Sequence, residues 1–510
     1  MNNNLYERFA RCFPANAATT VIETTDGRRW SYRDLDRETA RLARLFDSLG
    51  LGKGERVAVQ VEKSPEALFV YLACLRAGLI YLPLNIAYRF EETAYFVGDA
   101  QPSLLIGRPE ANRETEALAR REGIPRVFDL GANGTGSLLE ESRCLASDYH
   151  AALCAGEDIA ALLYTSGTTG QPKGAMLSHG NLASNALALR KAWGFTARDM
   201  LLHALPLFHA HGLFVASHCA LLSGSRMVLL SRFEASAVVK YLPSATVFMG
   251  VPTYYTRLLA EPGLDRQCCA AMRLFVSGSA PLREQTFTAF YERTGHRILE
   301  RYGLTETLMN SSNPLQGERR PGTVGKALEG VAIRIAAEAG DRLGPGEVGE
   351  IQVKGPNVFS GYWRLPQKSQ EDFTDDGWFR SGDLGRLDDA GYLTIVGRRK
   401  DLIITGGYNV YPKEVETRID QLPGVHESAV IGLADPDFGE RVVAVVVKTA
   451  AGAELTAEAL LRTLKGSLAN YKVPKTVFFL EALPRNAMGK VQKNVLREQF
   501  GNKDPERVTR

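Results

Sequence analysis

Short apolar runs that stop at glycines, hydroxyls or prolines recur along the chain, separated by stretches of helical period. Arg56-Val-Ala-Val-Gln-Val, Ala161-Leu-Leu-Tyr, Met227-Val-Leu-Leu, Ala245-Thr-Val-Phe-Met and Leu274-Phe-Val-Ser are runs of this kind. Ser31-Tyr-Arg-Asp-Leu can cap a helix leading to Leu49, and Ser64 to Ala77 carries helical spacing. Alternation of strands with helices confines a chain to a largely parallel, helix-covered sheet. In such sheets ligands sit beyond the carboxyl ends of the strands, where these glycines and hydroxyls fall. From Val324 the texture changes to short alternating segments with frequent Gly and Asp, such as Glu350-Ile-Gln-Val-Lys and Tyr392-Leu-Thr-Ile-Val. They predict a twisted antiparallel section. After Gly397-Arg-Arg-Lys-Asp401 a separate α+β module of about a hundred residues follows, an ordinary domain size. The expected fold class is therefore α/β, with a large N-terminal domain of parallel sheets over residues 1–399 and a smaller α+β domain over 400–510. No internal repeat is present, and the only biased tract is the polar tail after Phe500.

Composition removes several function classes. A chain of 510 residues with 45% apolar content can bury a large core and divide into domains. Lys plus Arg (61) nearly balances Asp plus Glu (58), so no basic field collects nucleic acid or an anionic membrane. The seven cysteines are odd in number, include the adjacent pair Cys268-Cys269 and form no CxxC, which suggests neither a disulfide framework nor a zinc site. The N-terminus lacks an apolar signal core, and no uncharged run reaches membrane-spanning length. A cytoplasmic protein is expected.

The segment Thr165-Ser-Gly-Thr-Thr-Gly-Gln-Pro-Lys173 follows an apolar strand and offers unblocked backbone N–H groups, hydroxyl donors and one lysine. Those are the parts of a phosphate-binding loop. It is not of the Walker type, because Pro172 precedes Lys173 and Gly174 follows it. A Gly/Thr patch by itself also suits a surface loop, so other segments must decide. The histidines of His203-Ala-Leu-Pro-Leu-Phe-His209-Ala-His211 lack an acidic or cysteine companion and a metal-ligand spacing. Gly344-Pro-Gly-Glu-Val-Gly349 has the letters of a dinucleotide loop but ends before a strand, and reads as a turn.

Tyr164 to Gly174 resembles the signature of the acyl-adenylate-forming family of acyl-CoA synthetases, carrier-domain adenylation domains and luciferases. Tyr302-Gly-Leu-Thr-Glu306, Trp378-Phe-Arg-Ser-Gly-Asp383, Gly397-Arg-Arg-Lys-Asp-Leu-Ile, Gly406-Gly-Tyr-Asn-Val-Tyr-Pro412 and Pro484-Arg-Asn-Ala-Met-Gly-Lys490 are similar to the family's later motifs, in order. Together they span most of the chain. The resemblance implies ATP, Mg²⁺ and coenzyme A as ligands, and two reactions served by one site. Thr165, Ser166, Gly167, Thr168, Thr169, Gly170 and Lys173 would wrap the β- and γ-phosphates. Gly278, Ser279, Ala280 and Tyr302 would form the adenine slot, Thr305 would meet the α-phosphate, and Glu306, with Thr165, would hold Mg²⁺, a cation that takes oxygen ligands. Asp383 would accept both ribose hydroxyls, backed by Arg398. His209 would gate the acyl pocket, and Lys490 would supply positive charge to the α-phosphate and acyl oxygen. The family's small domain is mobile and turns at the residue matching Lys400, which would present Gly406 and Gly407 to coenzyme A. Acetylation of Lys490 would delete its charge, which counts a lysine acetyltransferase among the candidate partners.

A pocket for a fatty or aromatic tail should be apolar. Here Arg301 immediately precedes Tyr302, and Arg257 closes Val251-Pro-Thr-Tyr-Tyr-Thr-Arg257. Two guanidiniums suit a second carboxylate. These segments, with Leu205 to Phe214 and Met309-Asn-Ser-Ser-Asn-Pro314, resemble malonyl-CoA synthetases, which implies that both arginines bind the distal carboxylate of malonate, with methylmalonate as a further substrate. The alternative is that Arg257 pairs with a surface acid and Arg301 with Glu300. The rival functions are ligation of another small or aromatic acid to coenzyme A, loading of a carrier protein, and adenylate binding without catalysis. Intact Lys173, Glu306 and Lys490 argue against the last.

Overall fold

The computed structural model describes residues 2–165, 172–486 and 489–501. The chain divides into two compact units, 1–333 with 353–379, and 334–352 with 380–510.

The first unit holds two sheets. In the nine-stranded sheet the strands Arg226–Leu229, Met200–His203, Val247–Gly250, Leu274–Ser277 and Leu299–Leu304 lie side by side and run parallel, as the apolar runs predict. Antiparallel strands continue the sheet beyond Leu304, beginning with Leu308–Ser312. In the six-stranded sheet Arg56–Val59, Ile80–Pro83 and Ile159–Thr165 are parallel neighbours, and Lys173–Ser178 closes the edge as an antiparallel partner of Ile159–Thr165.

The helix Pro65–Ala77 is buried at every position, from the Ser64 side chain that caps its Ala67 N–H to Gly78, which ends it at φ +72°. A helix apolar on all sides belongs inside a core, and loss of the Ser64 cap would cost about 1 kcal/mol. The helix Tyr32–Ser48 opens on a reciprocal capping box between Ser31 and Asp34.

The second unit also begins with strands. The change of texture after Val324 corresponds to a four-stranded sheet of Ala332–Ala336, Gly349–Lys354, Phe379–Leu387 and Leu393–Arg398. Its last two strands pair antiparallel, and the Gly344 to Gly349 stretch ends at a strand as expected. A five-stranded sheet follows, built on the long hairpin Val425–Asp435 and Gly439–Lys448. The unit boundary lies upstream of residue 400. Arg399 pairs with Glu338 at 2.7 Å and Arg497 with Asp401 at 2.8 Å, so ion pairs join the expected hinge to both ends of the unit that contains it.

Candidate active site

The register of the parallel strands brings their carboxyl ends together, with Gly250 beside Ser277 and Ser277 beside Glu300. Just past these ends the chain is shaped around one side chain. A Cβ on Gly278 would fall 2.4 Å from the Arg301 guanidinium carbon, so only glycine admits that group there. Ser279 adopts φ +71°, a left-handed conformation uncommon outside glycine. Its Oγ accepts the Nη2–H of Arg301 at 3.4 Å. Arg301 is 4% exposed, its Nε lacks a hydrogen-bond partner, and no carboxylate pairs with it among the described residues. Burial pushes its pKa down, yet a guanidinium stays charged. An uncompensated buried charge costs several kcal/mol. The charge suits an anionic ligand.

His209 and His211 face the same charge. The His209 ring accepts the His211 backbone N–H at Nδ1, at 3.1 Å. Burial first, and Arg301 second, hold its pKa at about 4 and that of His211 well below the usual value. Both rings are therefore neutral at neutral pH, with the His209 proton on Nε2. His211 Nδ1 lies 3.4 Å from Ser279 Oγ, and its buried Nε2 has no partner.

Arg257 is placed differently. On the helix Pro252–Leu259 it is exposed while Tyr255 and Leu258 are buried. Its charge acts on Tyr254, whereas Arg301 acts on Tyr255. No hydrogen bond or shared partner among the described residues brings the two arginines together.

On the phosphate side, the register pairs Thr165 with Lys173 across an antiparallel ladder. The glycine-rich segment thus connects two strands of a hairpin, unlike a Walker loop, which opens a helix. Ser166, Gly167, Thr168, Thr169 and Gly170 lie outside the described residues. Lys173 Nζ sits over the Tyr362 ring, 5.1 Å from its centroid, and the Tyr362 hydroxyl donates to the Glu306 carboxylate at 3.2 Å. Tyr362 thereby links the lysine and acid that the sequence assigns to phosphate and metal. Nothing local in Gly361-Tyr362-Trp363 marks it, because its partner Glu306 is 56 residues away.

Thr305 and Glu306 sit in the reversal between Leu299–Leu304 and Leu308–Ser312. The tip is fixed by Phe359 N–H to the Glu306 carbonyl at 2.8 Å and by the Asn357 amide to the Thr307 carbonyl at 2.6 Å. Leu308 is held at φ +51°, and a Cβ on Gly303 would meet its carbonyl at 1.8 Å. A left-handed leucine costs ~1–3 kcal/mol, and strain of this kind clusters at ligand-binding turns. One carboxylate fits Mg²⁺, which takes one or two carboxylates plus substrate phosphates. Tyr302 is buried, and Ala280 and Thr305 are partly exposed.

In the second unit Asp383 faces Arg398 directly across the ladder, with Nε 3.0 Å from Oδ1. Asp383 is 4% exposed and its backbone N–H donates to Ser381 Oγ at 3.1 Å. Lys490 feels Arg398, Asp383, Lys400 and Asp401. Burial chiefly, then Arg398, bring its ammonium down to about 8. The turn that carries it is closed in both directions by Asn486, at 3.0 Å each, and includes Gly489 at φ +72°. Gly406 and Gly407 take φ +55° and +80° between the strands Ile403–Thr405 and Tyr408–Val410, the geometry of a type I′ hairpin.

With these features in place, the chain was compared with known proteins. The family model for AMP-binding enzyme matches residues 6–363, and that for AMP-binding enzyme C-terminal domain matches 414–490. A malonate–CoA ligase of Arabidopsis thaliana is 34% identical over 99% of this chain and 90% of its own length. A feruloyl-CoA synthase of Amycolatopsis is 36% identical over 93% of this chain and 95% of its own. Among solved structures, ATP-bound MatB from Rhodopseudomonas palustris superposes with a TM-score of 0.96 at 50% identity, over 98% of this chain and 99% of that one.

Proposed function

The chain belongs to the AMP-binding enzyme family, and from that premise we propose that it joins malonate to coenzyme A at the expense of ATP, through an acyl-adenylate. A malonate–CoA ligase matches 99% of this chain and MatB is 50% identical to it, against 36% for a feruloyl synthase, and the site agrees with malonate. The observation that carries the choice is Arg301, a buried guanidinium without a carboxylate partner among the described residues, cradled by Gly278 and Ser279. A ferulate ring would leave that charge unpaired, whereas the far carboxylate of malonate neutralises it. Arg257, exposed on its helix, is proposed as a second, weaker contact to the same carboxylate. Methylmalonate keeps both carboxylates and is a further substrate on this reading.

In the first step a carboxylate oxygen attacks the α-phosphorus and the bond to the β-phosphate breaks, releasing pyrophosphate. In the second the coenzyme A sulfur attacks the acyl carbon, AMP leaves with the bonding electrons, and the thiol proton passes to solvent. Asp383, held by Arg398, is proposed to take the ribose hydroxyls, and Tyr302 to stack on the base. Lys173 would neutralise the outer phosphates and Thr305 donate to the α-phosphate. Mg²⁺, held at Glu306 with Thr165 beside it, would supply charge neutralisation of the departing pyrophosphate. The ammonium of Lys490 is proposed to stabilise charge developing on the α-phosphate and acyl oxygen. Neutral His209 is proposed to close the acyl side without adding a charge of its own. Gly406 and Gly407 are proposed to face coenzyme A.

No described helix is long and apolar enough to cross a membrane. All seven cysteines are free, which supports a reducing cytoplasm as the site of action. A lysine acetyltransferase acting at Lys490 would switch off the first step.

Acid-dependent ATP–pyrophosphate exchange across malonate, methylmalonate, succinate, acetate, octanoate and benzoate, followed by thioester detection with coenzyme A, tests the assignment. Exchange with malonate and methylmalonate well above the monocarboxylates is the expected result. A preference for benzoate or octanoate overturns it.

A further inference from the structure

The segment that carries His209 and His211 is held from behind by a lysine that the proposed chemistry does not use. Lys63 follows the strand Arg56–Val59 of the six-stranded sheet and precedes the helix Pro65–Ala77. Its Nζ donates to the backbone carbonyl of His203 at 2.7 Å and lies 3.2 Å from His203 Nδ1. His203 ends the strand Met200–His203 of the nine-stranded sheet. One amine thus ties together the carboxyl ends of strands in two sheets. No acid among the described residues offsets its burial, and its pKa is pushed well below the usual lysine value by desolvation.

The partners of the His203 ring fix its tautomer. Nε2 lies 3.0 Å from the Gly212 carbonyl, which can only accept, so the proton is on Nε2 and Nδ1 receives an N–H of Lys63. The Ser217 hydroxyl donates to the same carbonyl at 3.0 Å, bridging five residues of the π-helical segment His211–Ser217. Such segments are rare and concentrate at functional sites. Gly212 is required in it, because a Cβ there would meet the Pro206 carbonyl at 2.0 Å. The residue before it, His211, reaches Ser279, and Ser279 receives Arg301. A continuous path of hydrogen bonds and one covalent step therefore runs from Lys63 to the guanidinium at the acyl pocket.

We propose that Lys63 is a positioning residue for acid selectivity: acting through His203 and the Gly212 carbonyl, it fixes the π-helical segment and so the depth at which Arg301 meets the far end of the acid. Lys63 anchors the His203 carbonyl and Nδ1, so without it the ring that donates to the Gly212 carbonyl loses its support from behind, and a weakened bond to that buried carbonyl moves the turn. This inference rests on the reading of Arg301 as the distal-carboxylate group.

Lys63→Met keeps an unbranched side chain one atom shorter and removes its donors. It is expected to raise KM for malonate by about tenfold, the worth of one buried hydrogen bond. KM for ATP and for propionate, which lacks a distal carboxylate, should stay within about twofold on the same argument. Equal changes in the malonate, propionate and ATP constants, or no change, overturn the proposal and leave Lys63 a purely structural residue.

A second pair of variants carries the test if Lys63→Met does not fold. The amide of His203→Gln can donate to Gly212 and accept from Lys63, so it should retain malonate KM, while His203→Leu should reproduce the Lys63→Met defect. Indistinguishable His203 variants overturn the proposal. Should the unmodified enzyme activate another acid instead of malonate, the functional reading fails by itself. The same variants are then compared with that acid, and a change in its KM alone upholds the positioning role while uniform changes remove it.

Discussion

At the scale of single residues two cations have opposite surroundings. Arg301 is enclosed and has no carboxylate partner among the described residues, so truncating it removes one partner of a buried, hydrogen-bonded pair once malonate is bound. That costs ~2–5 kcal/mol, roughly thirty- to several-thousand-fold in kcat/KM. Arg301→Ala should therefore lose at least about thirtyfold with malonate and keep ATP affinity within a few-fold, narrowing the preference over propionate. Arg257→Ala should act in the same direction but less, because an exposed charge is screened by water. Proportional losses with malonate and propionate would return Arg301 to a role in the fold. Lys490 supplies a pH prediction. Its depressed pKa of about 8 leaves it about nine-tenths charged at pH 7 and about one-tenth at pH 9. The ammonium is the form that stabilises phosphate charge, so acid-dependent pyrophosphate exchange should fall through an alkaline limb near pH 8. A limb in kcat/KM that appears only near the ordinary lysine value contradicts that role. The separation of Arg301 from Glu300 is a property of the strand, in which successive side chains point to opposite faces, although the sequence alone left their pairing open. The exposure of Arg257 was not legible, since a helix start near a pocket does not fix which face an arginine takes.

Elements were easier to read than the contacts between them. The apolar runs ending at Ser277 and Tyr164 belong to parallel strands because strand period and helical capping are local signals, and Ser31 and Ser64 mark helix starts for the same reason. The hairpin closed by Gly406-Gly407 is equally local: two glycines are what a I′ turn asks for. By contrast the Lys63 to His203 contact spans 140 residues and the Tyr362 to Glu306 contact 56, and neither leaves a pattern in its own neighbourhood. The π-helical segment His211–Ser217 has no distinctive period either, since its geometry depends on Ser217 and His203 meeting one carbonyl. The glycine hairpin carries its own prediction. Gly407 sits at φ +80° with open space around the Cβ position, so Gly407→Val meets backbone strain alone, about 1–2 kcal/mol. A distorted turn should lower coenzyme A-dependent thioester formation while pyrophosphate exchange persists. Parallel loss of both would show that the hairpin serves the unit's stability and not the second step.

For the whole molecule the question is how one chain separates two reactions. Asp383, Arg398, Lys400 and Lys490 all belong to the second unit, and the structure gathers their charges: burial and Arg398 lower both Lys400 and Lys490, while Asp383 and Asp401 draw them up. The sequence motifs located these residues singly, whereas the upstream unit boundary depends on how the whole chain packs, with Arg399 to Glu338 among the pairs inside the second unit. If Lys490 acts only on the first reaction, Lys490→Ala should cut acid-dependent pyrophosphate exchange by roughly a hundredfold or more, the cost of removing one preorganised donor from a developing anion. Thioester formation from supplied malonyl-adenylate should continue, because that step expels AMP from an intermediate already made. Lys400→Pro should give the opposite result. Proline fixes φ near −65° and removes a backbone N–H, so a hinge at that position turns with difficulty, exchange persists and thioester formation fails. The two variants must therefore complement each other in half-reaction assays. Full thioester formation by Lys400→Pro removes the hinge from residue 400, and equal loss of both half-reactions in Lys490→Ala removes the separation of roles on which domain alternation depends.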